Sequence, residues 1–176
     1  MRDNDVEGWP GARIDQVHAR AASPLNTNNP VALWRPNVVL INAGTNDAVQ
    51  SYAVDGAGTR MEDLIRDVWA LSPRAVVLLS TLVLNKRPGT ERNVVVINRQ
   101  FRDLVKKLGG EGRRIVLADM HGDAGPGAAD LSDDTHPNDV GYRKMADVWA
   151  RGFVEASNKG WLLQPENVVG VPDVGA

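Results

Sequence analysis

The chain has 176 residues, 43% of them hydrophobic and 24% charged, which is about one globular domain and excludes disordered, collagenous and coiled-coil readings. Twenty Lys and Arg against 22 Asp and Glu leave a net charge of −2, so no basic surface is available for nucleic acid or an acidic membrane, and neither is expected as a partner. With no cysteine there is no disulfide, zinc thiolate site or thiol nucleophile, and chemistry must fall to Ser, His, Asp, Glu or Lys.

Ile14, Val17, His18 and Ala21 recur at helical spacing after Gly11 and predict a short helix ending near Ser23-Pro24. Residues 23–36, with Asn26, Asn28, Asn29 and three prolines, read as a loop into the continuous apolar run Val38–Ile41, the pattern of a parallel strand covered on both faces. Gly56–Gly58 breaks the chain. Thr59 and Glu62 then have capping-box spacing ahead of a helix carrying Met61, Leu64, Ile65, Val68 and Leu71, closed by Pro73. Ala75–Leu79 predicts the second strand, and 84–92 a polar loop. Ile97, Phe101, Leu104, Val105 and Leu108 form one helical face stopped by Gly109-Gly110, and Arg114–Ala118 gives the third strand. The Gly-, Asp- and Pro-rich stretch 119–138 is too long for a mere connector. Tyr142, Met145, Ala146, Trp149 and Phe153 define the sheet-facing stripe of a last helix, which Gly160 stops, and 161–176 reads as a tail or linker after a domain of residues 1–160. This alternation predicts a three-layer α/β/α sandwich on a parallel sheet with right-handed crossovers. No apolar run approaches the roughly 18 residues of a membrane span. The acidic, polar start Met1–Asp5 lacks the form of an export signal.

In such sheets ligands bind at the carboxyl ends of the strands. After Val38–Ile41 come Gly44, Thr45, Asn46 and Asp47, where Gly44 permits a tight turn and the Asn46 amide can point at a ligand. An Asx-type turn that merely caps the strand accounts for the same residues. Beyond the third strand lies Asp133-Asp134-Thr135-His136-Pro137-Asn138. A carboxylate three residues before a histidine can hold one ring nitrogen and leave the other free as a general base, while the alternative is a helix N-cap region bearing a surface histidine. Trp9, beside Gly11, is placed to line a cleft; Trp69 and Trp149 fall on helical stripes and read as packing.

Gly11 within Gly8-Trp9-Pro10-Gly11, Gly44-x-Asn46-Asp47 and Asp133-x-x-His136-Pro137, in this order, resemble three sequence blocks of the SGNH hydrolases, the GDSL esterase/lipase family. The resemblance runs from about Glu7 to Trp161, and its detail is most similar to the branch holding carbohydrate esterase family three, the acetylxylan esterases. It implies a flavodoxin-like sheet and hydrolysis of an acylated carbohydrate or other small ester without a cofactor. By motif match His136 is the base and Asp133 its orienter. Gly11 and Asn46 donate to the oxyanion, and Trp9, Gly44, Asp47 and Pro137 line the site. Members of this branch are often secreted.

The family's nucleophile stands in an N-terminal Gly-Asp-Ser block, and none of Ser23, Ser51, Ser72, Ser80, Ser132 and Ser157 stands in such a sequence. The expectation is an N-terminally truncated fold, lacking the first two of five strands and inactive as it stands. It should have an exposed edge at Val38–Ile41 and a tendency to unfold or aggregate. A non-catalytic binding module that keeps the pocket is the competing reading. A metallophosphatase, suggested by Asp119-x-His121, fails on the order of its motifs and on having only His18, His121 and His136 to offer.

Overall fold

The computed structural model describes residues 8–26 and 28–168; the readings of Met1–Asp5, Glu7 and 169–176 lie outside the described residues. Three strands, β1 (Val38–Ile41), β2 (Val76–Ser80) and β3 (Ile115–Ala118), pair in parallel in the order β1-β2-β3. Val38 stands beside Val76, and Val77 beside Ile115. All three are short and apolar, and β2, in the middle, is buried at every position.

Side chains alternate across the sheet. Val39, Ile41, Val77, Leu79 and Ile115 point into the larger core, which is closed by α1 (Ile14–Ala21), α4 (Ala57–Leu71) and α5 (Pro88–Gly110) through Ile14, Met61, Ile65, Val68, Ile97, Phe101 and Leu108. Val76, Leu78 and Val116 point the other way, against α6 (Asp139–Asn158) and Trp161. The three layers and the parallel sheet are those the sequence predicts.

Several local readings change. The predicted loop 23–36 contains a helix, α2 (Pro30–Trp34), whose first turn is capped by Asn29 Oδ1 accepting from the Ala32 N–H at 2.8 Å. Asn followed by Pro is a helix-start signature. A further helix, α3 (Thr45–Val49), follows β1 directly, with Gly44 as its N-cap at φ 120°. The capping box at Thr59 does not form: α4 already begins at Ala57, and Glu62 binds Arg66 and Lys107 instead. The polar loop 84–92 is shorter than expected because α5 starts at Pro88, and its far end is turned by Gly112 at φ 76° rather than by Gly109-Gly110.

The sheet-facing stripe of α6 is also different. Tyr142 and Phe153 are exposed, and the helix buries Gly141, Val148, Gly152 and Ala156. A Cβ on Gly152 would lie 3.1 Å from Leu78 Cδ2, so small residues let the helix lie close on the sheet, while Met145 and Trp149 of the predicted stripe pack against the core beside them. Residues 161–168 are not a free tail. Leu163 and Gln164 carbonyls accept from Asn37 and Arg74, just before β1 and β2, and Glu166 pairs with Arg35.

Among the described residues the outer edge of β1 has no partner strand, and Leu40 is 50% exposed while its neighbour in register, Leu78, is buried. This contrast gives a stability prediction. In urea unfolding, Leu78→Ala should cost about 2–5 kcal/mol, the usual range for a filled core site. Leu40→Ala should cost well under half of that.

Candidate active site

Parallel strands place all their carboxyl ends along one edge, and the motif residues gather there. From β1, Gly44 turns the chain at φ 120° into α3. A Cβ there would meet Ile14, Leu82 and Phe101 side chains, each at 3.4 Å, so Gly44 lets the turn pack closely on the core. Asn46, next in α3, donates from Nδ2 to the Ala12 carbonyl at 3.0 Å. An amide nitrogen carries two hydrogens, so one remains for a ligand. Gln50, one turn on, donates to the Gly11 carbonyl at 3.3 Å. Gly11 itself holds φ 74° on the surface, and its N–H has no acceptor among the described residues. Gly11 and Asn46 thus lie on adjoining segments, each with an N–H that no described residue accepts, and partly exposed Trp9 stands next to Gly11 under the Arg20 guanidinium.

Asp47, expected to line the site, is instead fully buried. Its Oδ2 accepts from the Ile14 N–H at 3.0 Å and its Oδ1 from Arg60 at 2.8 Å. The residue is a brace between α1, α3 and α4. Arg60 continues to the carbonyls of Tyr52 and Ala53, and the Tyr52 ring lies against both Arg13 and Arg60.

Beyond β3, the loop to α6 closes on itself. Leu131 and Pro137 bridge in antiparallel fashion, and Asn138 caps α6 by accepting from the Val140 and Gly141 N–H groups. Gly141 is buried where a Cβ would clash with the Asp130 carbonyl and Pro137, so Pro137 is seated on the first turn of the helix. Between these anchors Asp133 Oδ1 accepts from the N–H groups of Thr135 and His136, both at 2.7 Å, and Oδ2 lies 2.8 Å from His136 Nδ1. A carboxylate only accepts, so Nδ1 carries the proton and Nε2 presents its lone pair. Nε2 has no partner among the described residues. The two sequence readings are both satisfied here, for the segment is at once an N-cap and a carboxylate–histidine pair. The three hydrogen bonds, first the His136 N–H, then that of Thr135 and then the His136 ring, hold the Asp133 carboxyl well below the usual aspartate range. The pair is open to water, with side chains 69% and 56% exposed.

The serines do not answer to this histidine. Ser80 is buried at the end of β2, Ser72 Oγ donates to the Pro36 carbonyl at the opposite edge, and Ser132 Oγ donates to the His136 carbonyl rather than to its ring. His121 is engaged by Glu91 Oε1 at 2.8 Å. Asp119 is pushed up by burial, but the Arg102 guanidinium and the Thr81 hydroxyl outweigh this and lower it overall. Among the described residues no three His, Asp or Glu side chains converge to hold a metal ion, and no helix is long and apolar enough to cross a membrane.

The sequence matches the family described as GDSL-like lipase/acylhydrolase over residues 1–144. It is 29% identical over 168 residues to a multidomain esterase from Ruminococcus flavefaciens, covering 91% of this chain but 21% of that relative's length. Among solved structures, a family 3 carbohydrate esterase from Clostridium thermocellum superposes with a TM-score of 0.71 at 20% identity, over 90% of this chain and 73% of that one. A carbohydrate esterase family 3 protein from Talaromyces cellulolyticus gives 0.68 at 19% identity, over 85% and 70%. These structures share the fold.

Two measurements test the geometry. Asp47→Ala would strand Arg60 without its buried partner and should cost about 3 kcal/mol in urea unfolding. In a titration followed by carboxyl 13C resonances, Asp133 should stay ionised near pH 3.9, where an ordinary aspartate is half protonated. The hydrogen bonds to its carboxylate should be intact above that pH and be lost only as the pH falls further, through the lowered folded-state value.

Proposed function

The chain belongs to the GDSL-like lipase/acylhydrolase family, and on that premise we propose that it forms the base and oxyanion half of a serine esterase site for acylated carbohydrates. The observation that carries the reading is the Asp133–His136 pair with Nε2 free, on the same sheet edge as the uncommitted N–H groups of Gly11 and Asn46. In the reaction, Nε2 takes the proton of a hydroxyl nucleophile as its oxygen attacks the ester carbonyl, and Asp133 stabilises the imidazolium that results. The tetrahedral oxyanion accepts from the Gly11 N–H and the second Asn46 amide hydrogen. His136 then returns its proton to the departing alcohol, and water attacks the acyl group by the same route. The acetyl group and sugar alcohol are suggested by the resemblance to carbohydrate esterases.

In this reading the site still requires a Gly-Asp-Ser nucleophile, and no serine of residues 1–176 stands in such a sequence. That absence also favours a second reading, a binding module that keeps the donors and turns nothing over. The chain alone should hydrolyse 4-nitrophenyl acetate at background rate and take up no fluorophosphonate, and stoichiometric labelling of any of its serines would refute this. Joined to a Gly-Asp-Ser-bearing strand ahead of Met1, it should gain turnover. Asn46→Ala should then lower kcat by about 100-fold or more, the effect of losing one oxyanion donor, and His136→Ala at least as much. A fused chain that stays inert would favour the binding module.

A further inference from the structure

We infer that Asn85 is a positioning residue for His136, acting through the Thr135 hydroxyl; this rests on the general-base reading of His136. The catalytic turn is fastened at its ends by the Leu131–Pro137 bridge and the Asn138 cap, but its middle, which carries the pair, stands in water. Asp133 and His136 are mostly exposed, and their mutual hydrogen bonds span three residues. In water such a turn exchanges with open forms unless something outside it fixes it, because ordering each residue costs about 1–2 kcal/mol of conformational entropy. The surface pair Arg87–Asp134 reaches the turn, but both partners are about half exposed or more, and such pairs contribute little.

Asn85 is different. It is 4% exposed, on the segment that crosses the carboxyl edge between β2 and α5. That segment is itself pinned. Leu82 exchanges two hydrogen bonds with the buried Asn98 side chain on α5, and the Asn85 N–H donates to Glu91 Oε2 at 2.6 Å. The other Glu91 oxygen is held by His121 Nε2. Asn85 Oδ1 accepts from the Arg87 N–H, which fixes the amide's orientation, and Nδ2 then points at Thr135 Oγ1, 2.8 Å away. Next to it the Lys86 N–H donates to the Asp134 carbonyl at 2.9 Å.

The consequence lies in what Thr135 does. Its N–H donates to Asp133 Oδ1, on the same carboxylate whose other oxygen receives the His136 ring. Fixing Thr135 from behind therefore fixes Asp133, and Asp133 selects the Nδ1–H tautomer that leaves Nε2 as the base. Asn85 touches neither substrate nor reacting atoms. Its effect is on the tautomer and orientation of the base.

The test needs no turnover. Long-range 1H–15N spectra of the imidazole rings at about pH 8.5, well above the ~6.5 of free imidazole, report the ratio of Nδ1–H to Nε2–H forms. In the unaltered chain His136 should be chiefly Nδ1–H, against the Nε2–H form that free histidine prefers. Thr135→Val, which removes the acceptor at similar size, should lower the ratio about five-fold, the equivalent of one ordinary hydrogen bond. Thr135→Ser, which restores the oxygen, and Arg87→Ala, which removes only the exposed pair, should leave it unchanged. Should Thr135→Val fail to fold, Asn85→Ala carries the same expectation. An Nδ1–H ring unmoved in both Thr135→Val and Asn85→Ala would overturn the role of Asn85 alone. A ring chiefly Nε2–H in the unaltered chain would overturn the general-base reading and this proposal with it.

Discussion

The site depends most on one buried carboxylate. Asp47 sits beside Asn46 in α3, takes the first free N–H of α1 at Ile14 and holds the Arg60 guanidinium of α4. Both oxygens are used, and no water reaches the residue. The turn that carries Gly11 enters α1 directly, so the spacing between the Gly11 N–H and the Asn46 amide follows from how Asp47 clamps the two helices. Oxyanion donors act only where they are placed before the charge develops, and displacements of about 1 Å cost orders of magnitude in rate. A residue that seemed from the sequence to line the site instead sets its dimensions from beneath.

The second half of the site is built on another logic. His136 and Asp133 stand on an exposed turn whose ends are fastened, at Leu131–Pro137 on one side and at the Asn138 cap of α6 on the other. The helix can begin there because Gly141 leaves room for the Asp130 carbonyl, and it can lie flat on β2 because Gly152 leaves room for Leu78. Close packing of backbone against side chain, rather than bulky apolar residues, thus places the histidine over the carboxyl ends of the strands.

What the sequence discloses follows the range of the interactions. The strands are legible because Val38–Ile41 and Ala75–Leu79 are unbroken apolar runs, and the Asp133–His136 pair because its partners are three residues apart. The α6 face is only partly legible: Met145 and Trp149 pack as their spacing suggests, but Gly141, Gly152 and Ala156, which lie closest, carry little hydropathy signal. The Asn85–Thr135 bond joins residues 50 apart and leaves no mark in any local pattern. The role of Asp47 is hidden likewise, for its ligands come from positions 14 and 60. The α2 helix had a local sign, Asn29 before Pro30, obscured by the surrounding prolines and asparagines.

The central claim is that Gly11, Asn46 and His136 face one ligand. Acetate, the product of deacetylation and a small carboxylate, tests it directly when titrated into the labelled chain. On this account the Gly11 backbone amide, one Asn46 side-chain amide hydrogen and the His136 ring nitrogens shift together along one binding curve, and Asn46→Ala weakens all three responses. A response confined to His136, or separate curves for the histidine and the two amides, would contradict it.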